Sequence, residues 1–381
     1  MRILLVTHYF PAHGGGVESV AYQLGSRLAM EPDLQVEWMA SDCDPIPAAL
    51  PERLRCIPVR SWNGVERRSG LPVPVWSPAA LLRLWRAVGE CDVVHVHDAI
   101  YMGNAAACLF AAIRGKPVVV TQHLAAIPYK GRVARNLLSL LNRSLVRAVL
   151  TSAHKVVFYS PAVQRYYEEY CRFSAPPAFV PNGVDTNLFG YVDSGGAAKL
   201  RQSAGRDPGR PQCLFVGRFV DRKGVALVLA MARQLPGVDW ILVGYGPIRP
   251  EDAGLPNLSV LRACTGAGLA LQYQMADLLV LPSSGEGFPL AVQEAMACGT
   301  PAFVSPETAE GCPGVRPLLF TADVLAQNAA EEWRGRIAGL VGDIDALRAM
   351  RSGVADAARE QWSWPAAARA YAALFREVRI Q

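Results

Sequence analysis

The chain has 381 residues, enough for two domains that each bury a core. Apolar residues make up 51% and charged residues 19%, a balance that excludes a disordered chain. The formal net charge of +5 fits an anionic ligand or an anionic membrane surface, but it is too small to indicate nucleic acid, and no nucleic-acid motif accompanies it.

The opening "MRILLVTHYFP" has a short apolar run that ends in His, Tyr and Pro without a small-residue cleavage site, so it reads as a first strand and not as a signal peptide. Further continuous apolar runs follow in "VEWMA", "DVVHVH", "PVVVTQ" and "KVVFYS", the form taken by parallel strands covered on both faces. Helical patterns such as "VESVAYQLGSRLA" lie between them. Residues 184–210, with "DSGGAAKLRQSAGRDPGRP", are rich in Gly, Asp, Ser and Arg and read as a linker. The rhythm then resumes with strands "QCLFVG", "VDWILVG", "LSVLRA", "DLLVLP" and "PAFVS" and helices "GVALVLAMARQL" and "LAVQEAMAC". A last helix, "WSWPAAARAYAALFREV", carries Pro365 near its start, where a missing N–H costs least. The expectation is an α/β protein of two Rossmann-like, doubly wound domains, 1–183 and 211–362, with a cleft between them and a C-terminal helix over 363–381.

No apolar run reaches the ~18 residues that span a membrane, so membrane contact is expected to be peripheral. The nine cysteines are odd in number and contain no CxxC pair; they read as free thiols in a reducing cytosol.

Three stretches carry chemistry. In "PAHGGGVES" the backbone of Gly14, Gly15 and Gly16 can approach an anion where a strand passes into a helix, although the pattern is neither G-x-G-x-x-G nor a Walker loop. "FVGRFVDRKG" sets Arg218 at the carboxyl end of a strand with Lys223 five residues on. A planar fork and a point charge there suit a diphosphate, although solvated surface charge is the commoner fate of an isolated pair. "SSGEGFPLAVQEAMACGTP" sets Glu286 in a loop and Glu294 in the helix that follows, among apolar neighbours, where a carboxylate is suited to accept sugar or ribose hydroxyls.

"GRFVDRKG" followed by "ADLLVLPSSGEGFPLAVQEAMACGTP" resembles the retaining GT-B glycosyltransferases of family four, which carry the E-x7-E pattern. "THYFPAHGGGVE", "DVVHVHD", "VVVTQH" and "PNGVD" are similar to further family segments in the same order, so the resemblance covers most of the chain. It implies an acceptor-side domain first, a nucleotide-sugar domain second, and a C-terminal helix that crosses back to the first. It implies that Arg218 and Lys223 hold the donor diphosphate opposite the backbone of Gly15 and Gly16. Glu294 would bind the ribose, while Glu286 and His123 would face the transferred sugar. The backbone of Gly287, Phe288, Pro289 and Leu290 would lie beside that sugar. By itself a lone His at a strand end reads as structural.

The implied activity is metal-independent transfer of a sugar, with retention, from a nucleotide diphosphate donor to a hydroxyl of a glycan or lipid-linked saccharide. No further cofactor is implied. A catalytically silent nucleotide-sugar-binding subunit of a polysaccharide assembly complex stays open as the alternative. A nicotinamide oxidoreductase would share the fold, but neither domain carries the fingerprint for it. Pro289 stands where many members have Gly, and "VSPETAEGCPGVRPLLF" lacks the family's Gly-Gly-x-x-Glu stretch.

The triplets Asp42 to Asp44 and Asp343 to Asp345 mimic a metal-binding D-x-D but are expected by chance, and His95, His97 and Asp98 are expected at structural or cleft-edge positions. "RVARNLLSLLNRSLVRAV" is basic and amphipathic: Arg132, Arg135, Arg143 and Arg147 share one side of a helical wheel, and Leu138, Leu141, Leu145 and Val149 lie opposite. Packing of the leucines is the main expectation. Contact of the arginines with anionic headgroups, at the inner face of the membrane, is the other.

Overall fold

The computed structural model describes residues 1–14, 16–64, 66, 73–123, 140–284 and 288–380. They divide into two compact units, Met1–Gly183 with Trp364–Gln381, and Val184–Ser363.

The first unit is built on strands β1 (Arg2–Val6), β2 (Gln35–Ser41), β3 (Leu54–Val59), β6 (Val93–His97), β7 (Val118–Gln122), β8 (Lys155–Phe158) and β9 (Ala178–Phe179). They form one sheet in the order β3-β2-β1-β6-β7-β8-β9, with every pair parallel. A separate antiparallel ribbon joins β4 (Ser61–Trp62) and β5 (Val75–Trp76). Strand alternation explains the continuous apolar runs. Ile3 and Leu5 enter the core beneath helix α1 (Gly16–Leu28), whereas Leu4 and Val6 enter the core shared with α2 (Pro78–Glu90) and α3 (Met102–Ile113). β3 is absent from the expected strands because Pro58 interrupts its run. Pairing with β2 alone, at the sheet edge, makes that proline tolerable.

The C-terminal helix Trp364–Ile380 belongs to this first unit, so the chain crosses back to it. Its Tyr371, Ala372 and Phe375 pack in the core beneath α1. The Tyr371 hydroxyl lies 2.8 Å from Thr121 Oγ1, and Arg376 grips Asp33 at 2.8 and 3.2 Å.

The second unit has strands β10 (Gln212–Val216), β11 (Asp239–Val243), β12 (Leu258–Leu261), β13 (Leu278–Leu281), β14 (Ala302–Val304) and β15 (Phe320–Thr321). Their order is β12-β11-β10-β13-β14-β15, again all parallel. In both sheets the order reverses beside the first strand, β1/β6 in one and β10/β13 in the other, and the loops leaving those strands open the crevice where doubly wound sheets bind ligands.

Within the stretch read as a linker, Ser194–Ser203 form a helix, α4, capped by Asp193, whose carboxylate accepts the Gly196 N–H at 2.7 Å. α4 is held by a side chain that composition does not reveal: Arg201 is fully buried and pairs with Asp277 at 2.8 Å. Asp277 also takes the Arg348 Nε at 2.8 Å and the Gln212 N–H at 2.9 Å.

Of the basic helix expected around Arg132–Arg147, residues 132–139 lie outside the described residues. Asn142–Val146 form a π-helical turn that runs into helix Arg147–Ser152. Leu145 and Val149 pack on the core, while Arg143 and Arg147 are exposed.

Candidate functional site

In the second unit, β10 ends at Val216 and the chain turns through Gly217 into Arg218. The Phe219 N–H donates to the Tyr245 carbonyl at 2.7 Å, and the Ile248 N–H donates to the Phe219 carbonyl at 3.1 Å. These bonds fix the Arg218 turn against the loop that leaves β11. Arg218 itself is exposed. Asp221–Lys223 form a single 3-10 turn that ends at Gly224, whose φ of +71° starts helix α5 (Val225–Gln234). The Lys223 side chain runs back over Gly217, with its Cδ 3.8 Å from where a Gly217 Cβ would sit. The loop after β13 meets this turn directly, since the Ser284 N–H donates to the Arg222 carbonyl at 2.9 Å.

Helix α6 (Gly266–Met275) and helix α7 (Leu290–Ala297) meet at Glu294. The Tyr273 hydroxyl donates to Glu294 Oε2 at 2.8 Å. Burial raises the Glu294 carboxyl to about 7, against the opposing pull of the tyrosine hydrogen bond. The same site pushes the Tyr273 hydroxyl well up, by burial and by the neighbouring carboxylate. Phe288 is core-packed, its ring edge-on to Trp362 at 5.8 Å, so only its backbone is available to a ligand. Pro289 caps α7 and supplies no N–H, and the side chain of Leu290 is exposed. Glu286 and Gly287 lie outside the described residues.

In the first unit, the equivalent loops gather a buried polar cluster. His8, two residues beyond β1, has Nε2 2.8 Å from Glu18 Oε1 in the first turn of α1, and the His8 ring stacks on Tyr101 at 3.7 Å. Burial works to raise the Glu18 carboxyl, yet the hydrogen bond and electrostatic pull of His8 hold it below the ordinary range. Past β6, Asp98 adopts φ +63°, the one positive φ of a non-glycine residue among the described residues. The Asn104 amide, from α3, donates to the carbonyls of His97 and Asp98 at 2.6 and 2.8 Å and holds that turn. Asp98 Oδ1 accepts the backbone N–H of His123, which directly follows β7, at 2.8 Å. His97 Nδ1 and His123 Nε2 lie 2.9 Å apart, and burial lowers the pKa of both rings.

Gly16 opens α1, and Gly14, at φ +87°, spends its N–H on the Pro11 carbonyl at 2.9 Å. Gly14 is therefore not available to an anion. Gly15 lies outside the described residues. The D-x-D triplets have structural partners: Asp42 accepts the Ser61 N–H, Asp44 pairs with His13 at 2.8 Å, and Asp343 caps a helix. His95 is a structural residue, its Nε2 2.8 Å from Thr121 Oγ1 and its ring against Tyr371.

Sequence patterning does not single out His8, Glu18, Asn104 or Tyr273, and it gives Asp98 no role in the site. His8 and Asp98 are legible in principle, as polar residues immediately beyond the two strands that flank the switch point, and Glu18 as the acidic residue in the first turn of the helix that follows the first of them, in "THYFPAHGGGVE" and "DVVHVHD".

Residues 14–188 match the family model for Glycosyltransferase Family 4, and residues 197–353 match the model for Glycosyl transferases group 1. Among curated proteins, the D-inositol 3-phosphate glycosyltransferase of Segniliparus rotundus is 30% identical over 305 residues, 74% of this chain and 65% of its own length. The GDP-mannose-dependent alpha-(1-6)-phosphatidylinositol monomannoside mannosyltransferase of Mycobacterium tuberculosis is 24% identical, with 95% of each chain covered. Among solved structures, sucrose-phosphate synthase from Thermosynechococcus elongatus superposes with a TM-score of 0.68 at 20% identity, covering 99% of both chains. Anabaena HepE, solved in complex with UDP-glucose, gives 0.63 at 17% identity, covering 99% of this chain and 100% of its own. With two parallel-sheet Rossmann-like units and both family models matched in sequence order, the chain belongs to the group 1, family 4 glycosyltransferases and has their GT-B fold.

Proposed function

We propose that this chain is a metal-independent retaining glycosyltransferase that moves a sugar from a nucleotide diphosphate donor to a hydroxyl of a glycan or a lipid-linked acceptor. The observation that carries this reading is the switch point of the second unit, where the Arg218–Lys223 turn and the loop leading to Glu294 leave adjacent strands and hydrogen-bond to each other. The relatives' names support the class of substrate: one uses GDP-mannose and acts on a phosphatidylinositol monomannoside, and another acts on inositol 3-phosphate.

In this reading Arg218 and Lys223 bind the diphosphate and stabilise the charge that grows on it as the bond to the anomeric carbon breaks. Their two cationic heads take the part that Mg²⁺ plays in other transferases. The backbone of Gly15 and Gly16 binds the donor from the first unit. Glu294 accepts the ribose hydroxyls. Glu286, His123 and the Gly287–Leu290 backbone hold the departing sugar. The acceptor oxygen bonds to the anomeric carbon on the face that the phosphate leaves, and its proton passes to the leaving phosphate oxygen. Reaction is proposed to occur at the cytosolic face of the membrane. No helix among the described residues is long and apolar enough to cross the bilayer, and the exposed Arg143 and Arg147 are suited to anionic headgroups.

The test is a transfer assay with GDP- and UDP-sugars on phosphatidylinositol in vesicles and on soluble glycosides, with and without EDTA, reading product and anomeric configuration. Transfer with retention that persists in EDTA is expected. Loss in EDTA with recovery on Mg²⁺ or Mn²⁺ would overturn the role given to Arg218 and Lys223. Donor binding without transfer or slow donor hydrolysis would assign the chain as a silent binding subunit.

A further inference from the structure

We infer that His97 is a positioning residue that fixes the tautomer of His123: His97 carries its proton on Nδ1 and donates it to Nε2 of His123, so that His123 is protonated on Nδ1 and meets the sugar as a hydrogen-bond donor. The inference rests on the proposed sugar-side place of His123 and extends it to a residue and a proton position.

The geometry leaves little freedom except the proton. The two imidazoles face each other through His97 Nδ1 and His123 Nε2 at 2.9 Å, their planes 19° apart. Each backbone is fixed independently of that contact. The His97 carbonyl is held by Asn104 at 2.6 Å, and the His123 N–H is held by Asp98 at 2.8 Å. Asp98 reaches it through a left-handed turn, a conformation uncommon outside glycine that aspartate adopts more readily than most residues. His97 is fully buried and His123 is 5% exposed. That burial lowers the pKa of both rings and so favours their neutral forms. The groups facing the pair are His95 on β6, His8 beyond β1, Glu18 on α1, Asp98 beyond β6 and Tyr159 beyond β8.

In a neutral pair one nitrogen donates and the other accepts. If His123 donated from Nε2, His97 would accept at Nδ1 and carry its own proton on Nε2. Nε2 of His97 is buried with no hydrogen-bond partner among the described residues. A buried N–H without an acceptor is among the costliest and rarest of orphans, while a bare lone pair is tolerated more often. The alternative, with the His97 proton on Nδ1, leaves only that lone pair unmatched. The pair therefore settles with His97 as donor, and the second proton of the dyad sits on Nδ1 of His123. A ring in that state offers its partner an N–H. It is not poised to take the acceptor's proton, so that proton must go elsewhere, in agreement with its passage to the leaving phosphate.

The proton position is read directly by long-range ¹H–¹⁵N correlation on the full chain labelled at its six histidines, with His123→Gln and His97→Asn used for assignment. The expected result is an Nδ1-protonated pattern for both His97 and His123 at neutral pH. An Nε2-protonated His123 overturns the proposal whatever the activity. Kinetics add a second readout. His97→Leu removes the donor and is expected to lower kcat about tenfold to a hundredfold, with nucleotide diphosphate affinity unchanged. His97→Asn keeps an N–H near the Nδ1 position and is expected to recover most of that loss. Equal losses for His97→Leu and His97→Asn, with the wild-type tautomer as expected, overturn the positioning role. Full activity in His123→Gln, with the tautomer as expected, would instead remove His123 from the sugar and refute the underlying reading while leaving the proton assignment intact.

Discussion

Tyr273 and Glu294 share a hydrogen bond of 2.8 Å between two helices of the second unit, in surroundings that raise the Glu294 carboxyl from its ordinary 4.5 to about 7. A raised carboxyl favours the folded state while protonated. That contribution is fully present below pH 4.5 and is lost as pH rises through 7. The shift corresponds to something on the order of 3 kcal/mol of folding free energy across that window. Glu294→Gln keeps a neutral acceptor for Tyr273 and removes the titration. The expected outcome is a variant more stable than the wild type at pH 8, with the difference shrinking toward pH 4.5, as read by thermal melting of the ligand-free protein. A pH-independent difference would show that Glu294 does not titrate in this window.

A ribose anchor and a sugar-side carboxylate must fail differently. Glu294→Ala removes a contact common to the donor and to free nucleotide diphosphate, so both should bind roughly tenfold to a hundredfold more weakly, the loss expected for a hydrogen bond to a charged group of ~1.5–3 kcal/mol. Glu286→Ala should leave free diphosphate binding intact and lower kcat, because its contact is with the departing sugar. Calorimetric titration with the diphosphate beside turnover measurements checks both. Matching losses of diphosphate affinity would refute the division of labour.

The sheets are readable because a parallel strand covered on both faces is a continuous apolar run, and "RILLV" or "DLLVLP" has no competing reading. The edge is less readable. Pro58 conceals β3 because a proline argues against a strand until the neighbour on one side is known to be absent. Arg218 can be named because it sits two residues beyond a strand recognisable in the sequence, and Glu294 because it is a carboxylate among apolar neighbours in the helix that follows the next such strand of the switch point, β13. The His97–His123 and Tyr273–Glu294 contacts cannot, since each joins side chains 26 and 21 positions apart whose meeting depends on strand register and helix packing. Arg201 is concealed for a further reason: in a Gly, Ser and Asp-rich stretch an arginine reads as solvated, and only its partner Asp277, just before β13, shows otherwise.

That partner makes Arg201 a test of the scaffold. Burial works to raise the Asp277 carboxyl, but hydrogen bonds from Arg348 and Arg201 hold it below 3.8. Arg201→Met leaves the carboxylate buried with Arg348 and the Gln212 N–H alone, and breaking a buried pair from one side costs about 3–5 kcal/mol. With one arginine remaining, a loss near the lower end of that range, about 3 kcal/mol, is expected at pH 7, read as a fall in melting temperature. Acidification should narrow the gap, because protonating Asp277 removes both the uncompensated charge in the variant and the ion pair in the wild type. A gap that is small at pH 7, or that widens in acid, would mean that Arg201 contributes packing and not charge.

Gly224 joins the proposed diphosphate turn to the neighbouring loop more tightly than any side chain could. A Cβ at this position would sit 2.1 Å from the Pro282 carbonyl oxygen, at the end of β13, and the residue holds φ +71°. Gly224→Ala must therefore strain the backbone and push the loops after β10 and β13 apart, the two loops that carry Lys223 and lead to Glu286. Gly205, at φ +70°, has nothing within 4 Å of the place a methyl group would take, so Gly205→Ala carries the backbone cost of about 1 kcal/mol without the collision. The expected outcome is a modest, similar backbone penalty in both, with a further loss of about 1–3 kcal/mol in Gly224→Ala. Nucleotide diphosphate affinity should fall in Gly224→Ala alone. Melting temperatures together with titrations on the two variants check this. Unchanged diphosphate affinity in Gly224→Ala would show that the contact between the two loops is dispensable for binding, and would weaken the case that the Arg218–Lys223 turn is the diphosphate site.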